Sequence, residues 1–267
     1  MKTIKLTIGY LGEKYNGWQV QRGQAHVKTV QSVVQSALKV LTNEDVKLTV
    51  AGRTDVGVNA LGQVVGFNIN SSIPANNFSM ALNGVLPDDV VVYKAEEVSP
   101  SFNATKDAVG KWYRYTYYLN RFPHIFFNNT TTCIPYKLNL EAMKEAALYL
   151  EGTHDFKGFC AVGGYTKSFV RNIQKCKVVK KKSFVFIDIY ANGFLYNMAR
   201  ILSGTLLKVG AGRMDPTDVT AIINSGNRRL AGATAPARGL CLMRVDYENK
   251  EDLFYNADYL DITEVFY

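Results

Sequence analysis

Apolar residues in this chain recur every second residue in some segments and about every 3.6 residues in others. The order of these strand-like and helix-like segments limits the fold more than any other feature of the sequence. Residues 3–10 alternate apolar and polar side chains, which predicts a half-buried strand. From Thr29 to about Asn43, apolar residues recur every three or four positions, which predicts an amphipathic helix. The pattern continues with strands at about 46–51, 62–69 and 90–98, with a short helix at 76–84 before the last strand.

The second half of the chain repeats this order. Its predicted elements are a strand at 110–119, a helix at 139–150, strands at 172–181 and 184–191, a helix at 194–208, an extra helix beginning at Asp215-Pro216, and a strand at 240–247. The order β-α-β-β-α-β is that of a ferredoxin-like unit. We therefore predict an α+β protein with two tandem ferredoxin-like halves, whose sheets lie side by side or are fused. Composition turns towards Ser, Pro, Asn and Thr around 99–109, so we place the halves at 1–104 and 105–267.

Composition excludes several classes of protein. With 267 residues, 47% hydrophobic and 20% charged, the chain is neither disordered nor collagen-like nor dependent on disulfides. The net charge of +8 fits either general solubility or a polyanionic partner. The four cysteines lack metal-ligand spacing, so we expect no metal site and a reducing compartment. No apolar stretch approaches 18 residues, and we expect a cytoplasmic protein without a membrane segment.

The loop between the two middle strands of the first half carries the clearest candidate for chemistry. Arg53 and Asp55 stand there between Gly52, Gly57 and Gly62, with apolar strands on both sides. A carboxylate fixed in such a loop is a candidate nucleophile or acid–base group, and the arginine would keep it ionised or bind phosphate. The alternative is an ordinary hairpin turn, in which Asp55 caps backbone amides and Arg53 is solvated.

Aromatic and cationic residues alternate along the first strand of the second half. In residues 111–118 one face carries Tyr113, Tyr115 and Tyr117, and the other carries Trp112 and Arg114 among others. Such a strand suits base stacking with nearby phosphate contacts. It equally suits a plain strand, because Tyr and Trp favour strands.

Two further groups of basic residues each allow two interpretations from the sequence. Arg200 falls among the apolar turns of the last long helix, where it is either a surface residue or a buried cation that needs a carboxylate. Asp55 would be a suitable partner. Five lysines between 175 and 182 form either a solvated strand edge or a strip that binds a nucleic-acid backbone.

Five blocks of sequence, in order, resemble the TruA family of tRNA pseudouridine synthases. They are Tyr15-Asn16-Gly17-Trp18-Gln19, Gly52-Arg53-Thr54-Asp55-Val56-Gly57-Val58 with Gly62-Gln63-Val64, Lys111-Trp112-Tyr113-Arg114-Tyr115, Asn192-Gly193-Phe194-Leu195-Tyr196-Asn197-Met198-Ala199-Arg200, and Ala235-Pro236-Ala237-Arg238-Gly239-Leu240. The resemblance implies two ferredoxin-like halves that share a mainly antiparallel sheet with a central active-site cleft. It also implies an isomerase without cofactor or metal, which converts uridine to pseudouridine at positions 38, 39 or 40 in the anticodon stem-loop of tRNA.

The resemblance also implies roles for single residues. Asp55 matches the family's catalytic aspartate, Arg53 the basic residue that helps to displace the target base, and Arg200 the arginine that pairs with the aspartate. Tyr113 matches the tyrosine that stacks on the uracil, and Leu240 an apolar residue of the pocket. The residues that match tRNA-contacting segments of the family are Phe102, Asn103, Ala104, Thr105 and Lys106, and also Ser168, Phe169, Val170, Arg171 and Asn172. A homodimer that binds one tRNA across both subunits is implied as well.

The sequence departs from the family inside the catalytic motif. After the aspartate, Val56-Gly57-Val58-Asn59 stands where the family usually has Ala-Gly-Val-His. Val56 adds bulk beside the carboxylate, and Asn59 replaces a titratable imidazole by an amide. The alternative to an active synthase is therefore a catalytically silent or re-targeted RNA-binding paralogue on the same scaffold. The presence of Arg53, Asp55, Tyr113 and Arg200 together argues against it.

Overall fold

The structure is a computed structural model, and it describes residues 1–20, 27–163 and 166–248. In the first half the elements are β1 (Lys2–Tyr10), α1 (Val30–Thr42), β2 (Thr49–Val50), β3 (Asn59–Ile69), α2 (Phe78–Asn83) and β4 (Val90–Val98). In the second half they are β5 (Gly110–Leu119), β6 (Thr132–Ile134), α3 (Leu140–Leu148), β7 (Gly152–Asp155), β8 (Val170–Lys181), β9 (Phe184–Ala191), α4 (Met198–Gly210), α5 (Asp218–Ser225) and β10 (Leu240–Asp246). The predicted order of elements is confirmed in both halves, with additional short strands at β6 and β7.

All of these strands belong to one sheet. Its main path runs β4-β1-β3-β10-β5-β9-β8-β7, with β2 paired to β3 and β6 paired to β5. The first half has the spatial order β4-β1-β3-β2 and the second half the equivalent order β10-β5-β9-β8. Pairing is antiparallel except at β3–β10 and β5–β6. The α+β fold of two ferredoxin-like halves on a shared, mainly antiparallel sheet is thereby confirmed.

The two halves join along one edge of β3. The first residues of this strand pair with β10, through Asn59 with Cys241 and Ala60 with Leu242. Further along the same edge, Val65 and Gly66 pair with β2. β10 occupies the first part of this edge, and β2 pairs further along it. β2 covers only Thr49–Val50, so the predicted strand at 46–51 is correct only towards its end.

Local sequence explains where the helices begin and end. The side chain of Thr29 accepts a hydrogen bond from Ser32 N at the start of α1, and Asn43 ends the helix with a left-handed φ of 57°. The predicted helix at 194–208 begins only at Met198, because Asn197 has a left-handed φ of 58°. The extra helix begins at Asp218 instead of 215, with Thr217 rather than Asp215 before it.

Strand β5 separates two environments, as the alternation of its residues predicted. On one face Tyr113, Tyr115 and Tyr117 belong to the main core, and the hydroxyl of Tyr117 donates to Ser203 O of α4 at 3.2 Å. On the other face, Arg114 forms a buried ion pair with Asp188 at 2.8 Å. Tyr113 and α4 therefore lie on the same side of the sheet. No helix in the described part of the chain is long and apolar enough to cross a membrane.

Candidate active site

A cleft of about 840 Å³ opens on the α4 side of the sheet, near the joint between the halves. Most of its lining comes from five places in the sequence: residues 16–19, the loop at 53–58, Tyr113 of β5, residues 194–200, and Leu240. Thr105 and Gly163 complete it. The structure thus brings together Arg53, Asp55, Tyr113, Arg200 and Leu240, which are far apart in the sequence.

The loop that carries Asp55 is shaped by two glycines. Gly57 has a φ of 77°, and Val58 N donates to Asp55 O at 3.1 Å to close a tight turn. Gly17, with a φ of 76°, lies so close that a Cβ there would be 2.8 Å from Thr54 O. Trp18 N donates to that same carbonyl at 3.1 Å. The segment before α1 therefore holds the loop in place.

Side chains from the sheet fix the base of the loop. The hydroxyl of Tyr10 shares a hydrogen bond with Thr54 Oγ1 at 2.8 Å, and Gln63 Nε2 donates to Gly52 O at 2.8 Å. Thr54 and Gln63 are both buried. Asp55 therefore projects from a backbone whose position is set on both sides.

Arg200 is the cation that faces Asp55. Its Nη1 lies 3.5 Å from Asp55 Oδ2, with the two side chains 18% and 29% exposed. Independently of Asp55, Arg200 Nε donates to Ala235 O and Nη1 to Asn197 Oδ1, each at 2.8 Å. Arg200 is therefore not a surface residue but a half-buried cation that faces a carboxylate. Its guanidinium is also oriented by groups other than that carboxylate.

Burial and charge act on Asp55 in opposite directions. Burial raises the pKa of the Asp55 carboxyl above its ordinary value of 3.8, and the Arg200 guanidinium partly offsets this. The first residues of α4 also line the cleft, so the positive end of this helix adds to the local field. The site therefore holds a carboxylate that is partly shielded from water and faces a fixed positive charge.

Tyr113 and Leu240 form the apolar side of the cleft. Tyr113 is 7% exposed and packs edge-on against Phe194, with ring centres 4.8 Å apart. Burial raises the pKa of Tyr113, and the charges of Tyr10 and Asp55 add to the shift, so its hydroxyl stays protonated. Leu240, at 4% exposure, begins β10 opposite Tyr115. Together these groups offer a flat apolar surface next to the carboxylate.

Arg53 is exposed at the mouth of the cleft. It makes no hydrogen bond or ion pair with any residue in the described ranges, although it lies two positions before Asp55. An arginine without an internal partner remains available to a ligand.

The segment 102–106 lies at the edge of the cleft, and its residues differ in what they contact. Phe102 packs on Tyr247 with ring centres 5.1 Å apart, and Ala104 is fully buried. Asn103 Oδ1 accepts from the backbone of Thr105 and Lys106, at 3.1 and 3.0 Å. Only Thr105 and Lys106 present exposed side chains, and Thr105 lines the cleft. Phe102, Asn103 and Ala104 shape the loop, and tRNA contact by this segment stays a prediction.

The segment 168–172 leads into β8 and is held mainly by its own polar groups. Ser168 Oγ accepts from Val170 N at 3.1 Å, and Phe169 O accepts from Phe156 N at 3.1 Å. Arg171 Nη1 donates to the carbonyls of Ser168 and Val170, at 2.9 and 2.7 Å. Asn172 Nδ2 donates to Thr153 Oγ1 at 2.6 Å. None of the five residues lines the cleft itself, so their contact with tRNA also stays a prediction.

The two departures from the family motif have different surroundings. Val56 is 57% exposed and lines the cleft. Asn59 is 4% exposed, and its amide nitrogen donates to Arg238 O at 2.9 Å and Asn129 O at 3.1 Å. Its amide oxygen accepts from Gly12 N at 2.8 Å. Asn59 thus connects three segments of the backbone, and it is Val56 that faces a ligand.

Sequence reasoning from single residues missed part of the cleft lining. Asn16, Trp18 and Phe194 line the cleft, but nothing in their own periodicity assigned them to a site. The signal lay in Gly17, because a glycine between large residues marks a close backbone approach. No group of three or more potential metal ligands occurs within the described ranges, and the four cysteines are free thiols.

A double ferredoxin-like sheet with a carboxylate and a guanidinium in a cleft near its joint is the arrangement expected for the pseudouridine synthase class. A family model described as tRNA pseudouridine synthase matches residues 7–105 and 146–248. The tRNA pseudouridine synthases A of Moorella thermoacetica and Acetivibrio thermocellus are 46% and 45% identical over 247 residues, which is 92% of this chain and 100% of each relative. That of Bacillus pumilus is 42% identical over 248 residues, 92% of this chain and 99% of the relative. The chain belongs to the tRNA pseudouridine synthase family.

Proposed function

We propose that this protein isomerises uridine to pseudouridine in the anticodon stem-loop of tRNA, at positions 38, 39 or 40, without a cofactor. The observation that carries the proposal is the half-buried Asp55 beside Arg200, 3.5 Å apart, in a cleft that also contains Tyr113. A protein that only binds RNA gains nothing from burying a carboxylate, because a negative charge repels phosphate. The family membership and this geometry support the same reaction.

The reaction requires three events in one closed space. The bond between C1′ and N1 breaks, the uracil turns over, and a bond forms between C5 and C1′ as C5 gives up its proton and N1 takes one up. The Asp55 carboxylate would act as nucleophile at C1′, remove a sugar proton, or add to C6 of the ring, and each route requires its ionised form. Arg200 favours that form electrostatically and is already oriented by Ala235 and Asn197.

The other cleft residues suit a uridine that has been flipped out of its stack. Tyr113 would stack on the uracil, with Leu240 closing the apolar side of the pocket. Arg53, exposed at the mouth, would help to displace the base and take its place. Unstacking a nucleotide costs a few kcal/mol, which such contacts would offset.

Recognition of the tRNA would depend mainly on shape and on backbone phosphates, since neighbouring uridines have different sequence contexts. The segments 102–106 and 168–172 would contact the tRNA, and the net charge of +8 favours a polyanion. We further propose a cytoplasmic homodimer, each subunit consisting of the halves 1–104, with the catalytic aspartate loop, and 105–267. Residues 249–267 of the second half lie outside the described residues.

The test compares the wild-type protein with Asp55→Asn on an unmodified tRNA transcript that has uridines at positions 38, 39 and 40. Pseudouridine is mapped by carbodiimide primer extension, and tRNA affinity is measured in parallel. We expect modification by the wild type, no turnover by Asp55→Asn, and affinities within a few fold of each other. Asp45→Asn, which changes an exposed carboxylate paired with Lys39, is the matched control. Tight, salt-sensitive binding by the wild type without any modification would indicate the silent or re-targeted paralogue instead.

A further inference from the structure

Lys111 places a cation beside the cleft for which the mechanism has no use. It lies two residues before Tyr113 on β5, so both side chains are on the same face of the sheet, about 7 Å apart along the strand. Its Nζ is 3.2 Å from the point where a Cβ on Gly52 would stand. Gly52 directly precedes Arg53, so the ammonium of Lys111 lies against the loop that carries Asp55.

Arg171 lies on the same face of the sheet, two strands away. The register pairs Lys111 with Ala191 on β9 and Ala191 with Ile173 on β8. Arg171 stands two residues before Ile173, and Ala191, which lies between Lys111 and Ile173 on this face, is a small side chain. Arg171 Nε is 3.4 Å from the position of a Cβ on Gly193, the residue before Phe194. Each cation therefore lies against a glycine that adjoins a residue of the cleft.

Neither cation has an acidic partner within the described residues. Lys111 makes no hydrogen bond or ion pair there, while Arg171 donates only to the carbonyls of Ser168 and Val170, which orient it without neutralising it. Burial and the positive charge of Arg171 lower the pKa of Lys111, and burial lowers the pKa of Arg171. Two partly desolvated like charges that repel each other destabilise the unliganded protein, and an anion between them would relieve this.

We propose that Lys111 and Arg171 together bind one backbone phosphate of the RNA, next to the uridine that occupies the cleft. The inference rests on the proposed function and adds to it a residue, Lys111, and a chemical class of contact. A phosphodiester supplies the missing negative charge, and its oxygens accept charge-assisted hydrogen bonds from an ammonium and a guanidinium. Such a contact positions the strand without reading its sequence, which suits a site that serves neighbouring uridines.

The test uses Lys111→Gln, Lys111→Arg, Arg171→Gln and the double variant Lys111→Gln/Arg171→Gln in the full-length protein. The matched control is Lys144→Gln, which removes the same charge from an exposed lysine paired with Glu141 on α3. Affinity for an unmodified tRNA transcript is measured over a range of salt concentrations, together with the melting temperature of each variant. Inorganic phosphate is added as a competitor in a separate series.

If the contact exists, Lys111→Gln weakens tRNA binding about tenfold, as expected for one charge-assisted contact. It also reduces the slope of log affinity against log salt by about 0.7–0.9, the value for one phosphate. Its melting temperature does not fall, because an unpaired cation has been removed, whereas a purely structural role would lower it. Lys111→Arg retains most of the affinity. The double variant loses less than the product of the single losses, since both side chains share one phosphate.

Two results would overturn the inference. One is a Lys111→Gln variant whose affinity and salt slope equal those of Lys144→Gln. The other is a lower melting temperature in both Lys111 variants, accompanied by equal losses of affinity, which would assign Lys111 to packing. Competition by millimolar inorganic phosphate that disappears in Lys111→Gln would support the contact, because the free anion then displaces the RNA phosphate from these two side chains. Failure of the proposed function has a separate readout, because wild-type protein that binds tRNA without forming pseudouridine would leave the phosphate contact intact.

Discussion

At the scale of single residues, the properties of the cleft come from competition between burial and charge at Asp55. Burial raises the pKa of its carboxyl, and Arg200 lowers it again. Since Arg200 also donates to Ala235 and Asn197, its guanidinium stays oriented whatever the state of the carboxyl. Arg200 therefore influences the ionisation of Asp55, while its own orientation does not depend on Asp55.

Substitution Arg200→Gln should move the pH dependence of the reaction in a defined direction. In the proposed mechanism activity requires ionised Asp55, so it is lost as the pH falls through the pKa of this carboxyl, which burial sets above 3.8. Removing the cation raises that pKa further. The acidic limb of kcat/KM should therefore shift to higher pH, in addition to a lower maximum. Arg229→Gln, an exposed arginine, should leave the limb in place. An unshifted limb in Arg200→Gln would mean that Arg200 does not set the ionisation of Asp55.

At the scale of elements, the catalytic loop depends on the segment before α1. Gly17 lies so close to Thr54 that no side chain fits between them, and Trp18 N donates to the same carbonyl. Side chains of the sheet hold Gly52 and Thr54 at the base of the loop, whereas Val56 at its tip is exposed. The geometry of Asp55 is therefore set in part by a segment that is distant from the loop in the sequence.

Gly17→Ala should show this dependence. Its φ of 76° costs an alanine about 1–2 kcal/mol, and the new Cβ would meet Thr54 O at 2.8 Å. Gly212→Ala is a close control, because Gly212 has a φ of 68° but no heavy atom within 4 Å of the added Cβ. We expect both variants to lose thermal stability, but only Gly17→Ala to lose most of its pseudouridine formation. Equal activity in the two variants would show that the loop tolerates displacement of its support.

The elements that sequence predicted well were those with a long local pattern. Helix α1 was predicted from Thr29 to Asn43 because its cap, apolar period and left-handed end are all local. The start of α4 was predicted four residues too early, because Phe194 and Leu195 continue the apolar period. The left-handed conformation of Asn197 prevents the helix from extending back to them. The two strands beside β3 on this edge, β2 and β10, are distant from each other in the sequence, so local pattern does not show how they share it. Asp55 and Arg200 are also far apart in the sequence, so the distance between them could be obtained only from the folded structure.

At the scale of the whole molecule, the two halves meet at a short parallel joint, and Asn59 reinforces it. Only two residue pairs connect β3 to β10. Beside them, the Asn59 amide joins Gly12 of the first half to Arg238 and Asn129 of the second. Its replacement of the family's histidine therefore affects the joint more directly than the chemistry.

Asn59→Ala should weaken that joint. It leaves two carbonyls and one N–H without their partner at a buried position, at a cost of about 2–3 kcal/mol in the free energy of unfolding. Asn76→Ala, at an exposed position, should cost less than about 0.5 kcal/mol. Urea unfolding of both variants measures the difference. A cost for Asn59→Ala as small as that of the control would show that water replaces the amide.

Basic side chains lie both at the cleft and along the edge of β8, and the two should behave differently towards RNA. β7 pairs with β8 only from Val170 to Ile173, which leaves the edge beyond it without a neighbour in the described part of the chain. On that stretch Lys175 is paired with Glu151 at 3.3 Å, and Lys180 is exposed. Lysines along an open edge prevent pairing with other chains. We therefore expect Lys180→Gln to leave the salt dependence of tRNA binding unchanged, while Arg53→Gln reduces the slope. A reduction of about 0.7–0.9 in Lys180→Gln would instead make this edge a backbone-binding strip.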